Sequence, residues 1–149
     1  MEMYTHLEPV TEEKLTRIEK KLKIVIPNSY RLFLLQYYGG QPKENNFYKE
    51  LDTGGIYDFE IDSFLGFSSN LSFDLAHTYG IMLGQIPEQL LPIADDGTGN
   101  KICIGITGEY LGKVYIWWLD KANSEYEKPD FENIEKLANS FNEFQTYLR

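Results

Sequence analysis

The sequence predicts a mixed fold of helices and strands, with helical segments at both ends of the chain and strands between them. Two observations carry the prediction. Apolar residues recur at helical spacing near the start and the finish, and the middle changes to a period of two broken by glycine-rich turns. A chain of 149 residues fits one domain, 1–149, large enough to bury a real core. With 42% hydrophobic and 15% aromatic residues, it carries enough apolar area to offset the entropy of ordering it.

In "PVTEEKLTRIEKKL", Thr11 fits an N-cap, Glu12 and Glu13 suit the first turn, and Leu15, Ile18 and Leu22 share one face, which predicts a helix over 11–22. "IPNSYRLFLLQYYGG" predicts a second helix over 28–38, opened by Pro27 and closed by Gly39 and Gly40. Its apolar run from Leu32 to Leu35 predicts burial around much of its circumference. "YDFEIDSF" alternates Tyr57, Phe59 and Ile61 with Asp58, Glu60 and Asp62, the pattern of a half-buried strand. Its three carboxylates must share a face open to solvent or to a partner, since unpaired charges are costly to bury. "SNLSFDLAHTYG" predicts a short helix over 70–79 stopped by Gly80, with His77 an ordinary helix residue.

The stretch "PIADDGTGNKICIGIT" has three readings. Counted from Asp95, a calcium loop would need glycine at its sixth position and a bidentate acid at its twelfth, where Asn100 and Ile106 stand. Gly97 and Gly99 begin a Gly-x-Gly, but the next required glycine is Ile102, and no Gly-Lys-Ser/Thr follows. What remains is a β-hairpin whose glycines supply positive φ at the turn. "KVYIWWL" predicts a further strand, with Val114, Ile116 and Trp118 on one face and Tyr115, Trp117 and Leu119 on the other. A polar loop is expected over 120–130. A closing helix over 130–149 is expected to dock Ile134, Leu137, Ala138, Phe141, Phe144 and Leu148 on the sheet.

Charge narrows the function. The net charge is −9, and it is uneven: residues 1–50 carry eight Lys/Arg and seven Asp/Glu, while 51–149 carry six and sixteen. Such a field repels phosphate backbones and anionic lipid, so neither nucleic acid nor a membrane is an expected partner, whereas a basic protein is. No apolar run approaches the roughly 20 residues that cross a bilayer, and "MEMYTHLEPV" lacks the marks of a signal peptide, which places the chain in the cytoplasm. Cys103, the single cysteine, lies within "KICIGI" and reads as a core residue, with no disulfide and no cysteine metal cluster. With only His6 and His77 as imidazoles, and no Gly-x-Ser-x-Gly or His-Glu-x-x-His, the sequence offers no catalytic constellation, no metal site and no cofactor site.

The order of these features resembles the SUKH superfamily (Smi/Knr-like). The resemblance runs over nearly the whole chain. It is carried most specifically by the Ile-Pro-x-x-Tyr start of the second helix with its Gly-Gly end, by "LLPIADDGTGNKICIGI" and by "GKVYIWWLD". It implies an α+β fold in which N-terminal and C-terminal helices pack on a largely antiparallel or mixed sheet. It also implies a noncatalytic binding protein: bacterial members are mostly immunity proteins that neutralise polymorphic toxins, often nucleases, and fungal relatives regulate cell-wall synthesis. The expected function is therefore an antitoxin that binds a cognate toxin, a basic nuclease domain, through an acidic surface. The alternative is an intracellular protein-binding scaffold or regulator. The candidate partner-binding residues are Asp58, Glu60, Asp62, Asp95, Asp96, Glu109 and Tyr110.

Overall fold

The computed structural model describes residues 1–121 and 129–149. Helix α1 spans Glu12–Leu22 and α2 Asn28–Tyr37. Strands β1 (Asn46–Glu50) and β2 (Ile56–Glu60) follow, then β3 (Ser63–Phe64) and helix α3 (Leu75–Met82). Strands β4 (Leu90–Asp95), β5 (Lys101–Gly105), β6 (Val114–Trp117) and β7 (Ile134–Ala138) lead to helix α4 (Phe141–Thr146). The architecture is α+β: β3-β4-β5-β6-β7 form a five-stranded sheet in that order, β1 and β2 form a two-stranded one, and every pairing is antiparallel.

The first two helices follow from their sequences. Thr11 caps α1 by accepting the Lys14 amide at 3.2 Å, and Lys23 ends the helix in the left-handed conformation. Helix α2 buries Tyr30, Phe33 and Leu34 but leaves Leu32 56% exposed, so its apolar face is narrower than the run of apolar letters predicts. At its end Tyr38, Gly39 and Gly40 all take positive φ. Gly40 is also required for space, because a Cβ there would lie 2.3 Å from the Thr5 carbonyl oxygen. Arg31 of α2 ties the two helices together, reaching Glu12 at 2.5 Å and Glu19 at 2.6 Å, while Glu19 also accepts the Ile26 amide at 2.8 Å.

Both faces of the large sheet are covered. Ile102, Ile104, Val114 and Ile116 face the main core with Leu15, Phe33, Phe64, Phe141 and Phe144, while Cys103, Tyr115 and Trp117 face a smaller cluster with Met82, Ile86 and Leu90. Strands β4, β5 and β6 thus read as near-continuous apolar sequence, and Cys103 is a fully buried core residue. Trp118 packs with the main core as its alternation predicts, whereas Leu119 has left the strand for a 3₁₀ turn over Leu119–Lys121.

Three expectations about the elements are corrected. The segment read as one strand from Tyr57 to Phe64 changes sheets: β2 ends at Glu60, and Asp62 donates its amide to the Asp95 carbonyl at 2.7 Å, which starts β3 beside β4. The helix expected over 70–79 is a 3₁₀ turn (Leu71–Phe73) followed by α3, because Asp74 caps the His77 amide at 3.0 Å, and the helix runs through Gly80 to seat Met82 in the smaller cluster. The long closing helix is a strand plus a short helix. Residues 134–138 complete the ladder on β6, and Ser140 then caps α4 by accepting the Glu143 amide at 3.0 Å. Strand β1, for which the sequence analysis predicts no element, pairs with β2 along its whole length. The expected polar loop over 120–130 falls for the most part outside the described residues.

Candidate partner-binding surface

The β1–β2 hairpin sorts its side chains cleanly. Its inner face carries Phe47, which is fully buried between Phe59 and Phe144 with ring centroids 4.9 Å from each. Lys49 also reaches inward, donating to the Leu137 carbonyl of β7 at 2.7 Å. Residues directly opposite one another share a face, so Asp58 and Glu60 stand on the outer face across from Tyr48 and Asn46, with Ile56 at the end of the row. Asp58 and Glu60 are exposed, and Asn46 donates to Asp58 at 3.1 Å. The C-terminal residues complete this face on its far side. Asn46 and Arg149 exchange two main-chain bonds with β1 as the shared strand, and the Arg149 guanidinium stacks 3.6 Å from the centre of the Tyr48 ring.

Asp62 continues the same alternation past the crossing between sheets. It lies beside the β4–β5 turn, where a Cβ on Gly97 would come 3.5 Å from its own Cβ. None of Asp58, Glu60 or Asp62 is ion-paired among the described residues.

The turn acids are arranged differently. Asp96 accepts the Thr98 amide at 2.9 Å, the Thr98 hydroxyl at 2.9 Å, the Asn100 amide at 3.2 Å and the Asn100 side-chain amide at 2.8 Å. Asp95 accepts the Gly97 amide at 2.5 Å and forms a short ion pair with Lys101. Both carboxylates are therefore committed to building the turn, the local role that Asp and Asn play best. Asn100 in turn accepts the Leu119 amide at 2.9 Å, which brings the end of β6 against the turn.

Glu109 and Tyr110 sit elsewhere. They belong to a 3₁₀ turn in the β5–β6 connection, at the opposite end of β5 from Asp95 and Asp96. Tyr110 stacks on Phe131 at 4.7 Å and meets Tyr115 edge-on at 6.1 Å, so its ring serves the smaller apolar cluster. The structure thus sets Asp58 and Glu60 on one exposed strand face, leaves Asp62 exposed just past its end beside the turn whose Asp95 and Asp96 oxygens are occupied, and leaves Glu109 and Tyr110 apart. Tyr48, Ile56 and Arg149 join the acidic face without having been singled out from sequence.

Groups suited to chemistry are scattered. His6 contacts the Tyr37 carbonyl at 2.7 Å on the N-terminal segment, His77 lies on α3, and burial pushes the Cys103 thiol well above its ordinary pKa. Among the described residues no three His, Cys, Asp or Glu side chains are grouped to hold a metal ion. No described helix is long and apolar enough to cross a membrane.

The sequence model of the SMI1 / KNR4 family (SUKH-1) matches residues 9–146. The chain belongs to this family. The match takes in both N-terminal helices, the acidic hairpin, the five-stranded sheet and α4, while Tyr147 and Arg149, which close the free side of β1, lie just beyond it. The chain is also 26% identical over 147 residues to the SPbeta prophage-derived uncharacterized protein YokK of Bacillus subtilis (strain 168), an alignment covering 90% of this chain and 72% of that protein.

Proposed function

We propose that this SUKH-1 chain, as a single domain over 1–149, is a noncatalytic immunity protein that acts in the cytoplasm by binding and neutralising a cognate toxin, a basic nuclease domain. The observation that supports this most is the exposure of Asp58, Glu60 and Asp62, none of which forms an ion pair among the described residues, on a chain whose later two-thirds hold sixteen Asp/Glu against six Lys/Arg. A nuclease holds its phosphates with cationic groups, and an acidic inhibitor can occupy that same surface. Complementary charge of this kind raises association rates above the neutral scale of about 10⁵ to 10⁶ M⁻¹s⁻¹, and an inhibitor interface buries roughly 1,600 Å².

Co-expression tests it. The chain is produced in bacteria together with the toxin encoded beside its gene, and viability is scored. Survival that depends on soluble chain supports the proposal, while death despite soluble expression contradicts it.

A further inference from the structure

We infer that β2 offers its open edge to an added strand of the partner, a strand with Lys or Arg on one face and apolar residues on the other. The argument begins with the hydrogen-bond register of the hairpin. Leu51 donates to Gly55 at 2.8 Å and Ile61 donates to Asn45 at 2.6 Å, and antiparallel ladders alternate bonded and non-bonded pairs. The bonded pairs within the hairpin are therefore Phe47 with Phe59 and Lys49 with Tyr57. The main-chain groups of Ile56, Asp58 and Glu60 point away from β1.

The opposite side of the hairpin confirms this register. Asn46 and Tyr48, the residues of β1 that point away from β2, bond to Arg149 at 3.0 Å and Tyr147 at 2.9 Å. The free side of β1 is thus closed by the C-terminal residues, and the free side of β3 is closed by Gly40, which exchanges two bonds with Phe64. On β2, the N–H and C=O groups of Ile56, Asp58 and Glu60 have no main-chain partner among the described residues. An exposed strand in this condition is a template for another strand.

Charge selects the occupant. Asp58 and Glu60 flank the outer face of the edge, while Tyr57 and Phe59 present half-buried apolar surface on the inner face. An added strand with cations opposite the acids and apolar residues opposite the aromatics gains from both rows. A second copy of this chain is a poorer occupant, because the antiparallel pairing of β2 with itself that uses its full length, about Asp58, sets like charges directly opposite.

This inference rests on reading the acidic face as a partner surface, and it is tested without the toxin so that the two stand or fall separately. The probe is an acetylated and amidated Lys-Val-Lys-Val-Lys-Val-Lys peptide, and the readout is amide hydrogen exchange of the wild-type chain by NMR. Saturating peptide is expected to slow exchange at Ile56, Asp58 and Glu60 by about tenfold or more, with little change at Tyr57 and Phe59, whose amides are already bonded to β1. Glu60→Pro is expected to bind the peptide about tenfold more weakly than Glu60→Gln, since both lose the charge and only proline loses the outward N–H. No binding at millimolar peptide, or binding without protection at Ile56, Asp58 and Glu60, overturns the inference. Because the exchange measurement uses the wild type, it decides the matter even if the proline variant fails to fold.

Discussion

The hydroxyl of Tyr30 lies 3.0 Å from the carbonyl oxygen of Ile93, the extra residue at the bulge of β4, and 2.6 Å from that of Leu65 at the end of β3. One buried phenol thereby joins α2 to the first two strands of the large sheet. The Ile93 carbonyl also accepts the Leu65 amide at 2.8 Å, so the carbonyl that the bulge next to Pro92 takes out of the β4–β5 ladder is satisfied from β3 and α2. This gives the tyrosine of the Ile-Pro-x-x-Tyr stretch a physical task within the family fold.

Tyr30→Phe therefore tests a buried acceptor. The ring still fits, but the Leu65 carbonyl loses this donor in a fully buried position, a change that costs about 1–3 kcal/mol. Urea denaturation should show a lower midpoint with an unchanged slope. A loss below about 0.5 kcal/mol would contradict the role assigned to the hydroxyl.

Arg31 and Arg17 make a matched comparison. The Arg31 side chain is 17% exposed and bridges Glu12 and Glu19, whereas the Arg17–Glu13 pair is 72% and 84% exposed. Arg31→Ala is expected to cost about 2–3 kcal/mol, since it leaves the largely buried Glu19 carboxylate with the Ile26 amide but without its cation. Arg17→Ala should cost no more than about 0.5 kcal/mol. Equal effects in thermal denaturation would refute the distinction.

Glu143 sets an acid limit. The Asn139 amide at 2.6 Å holds its carboxyl below the usual glutamate range, helped by the Tyr147 hydroxyl, Lys49 and Lys136 and opposed by partial desolvation. A folded pKa below the unfolded one gives stability that is present above the unfolded value, near 4.3, and is lost as pH falls through the folded value. Stability of the wild type should thus decline below about pH 4.3 more steeply than that of Glu143→Gln, measured by denaturation at stepped pH. Parallel pH profiles would show that Glu143 contributes nothing to the decline.

The β4–β5 turn should ignore divalent cations. Asp96 already accepts four hydrogen bonds, and Asp95 is held by Lys101 and the Gly97 amide. Millimolar calcium or magnesium is expected to leave the melting temperature within about 1 °C, because only a ligand bound preferentially to the folded state raises it. A rise of several degrees would mean that these carboxylates bind metal.

Sequence reasoning reached the helices that carry their own caps and the hairpin that carries its own glycines. It failed where long-range pairing overrode local spacing. Ile134, Leu137 and Ala138 continue the helical period of Phe141 and Phe144, yet the exposed ladder of β6 draws them into β7. A local signal for the true boundary was present in Ser140-x-x-Glu143, the pattern of a helix N-terminus. Strand β1 was missed because "NFYKE" has only one deeply buried position, Phe47, and its pairing comes from β2 and the C-terminal residues. For the acidic surface, alternation placed Asp58 and Glu60 on one exposed face. It gave no warning that Asp95 and Asp96 satisfy their own turn, or that the length of β5 separates Glu109 and Tyr110 from them.

Association kinetics test the central claim most directly. The proposed cognate toxin is titrated on immobilised wild type and on the variant combining Asp58→Asn, Glu60→Gln and Asp62→Asn, from low to physiological salt. The variant should fold with stability within about 0.5 kcal/mol of wild type, since these side chains are exposed. Its association should be slower and its salt dependence flatter, because rim charges steer encounter and the screening length is only about 8 Å at physiological salt. Identical association rates for the two proteins across the salt series would contradict the account and leave the acidic strand face as a merely solvated one.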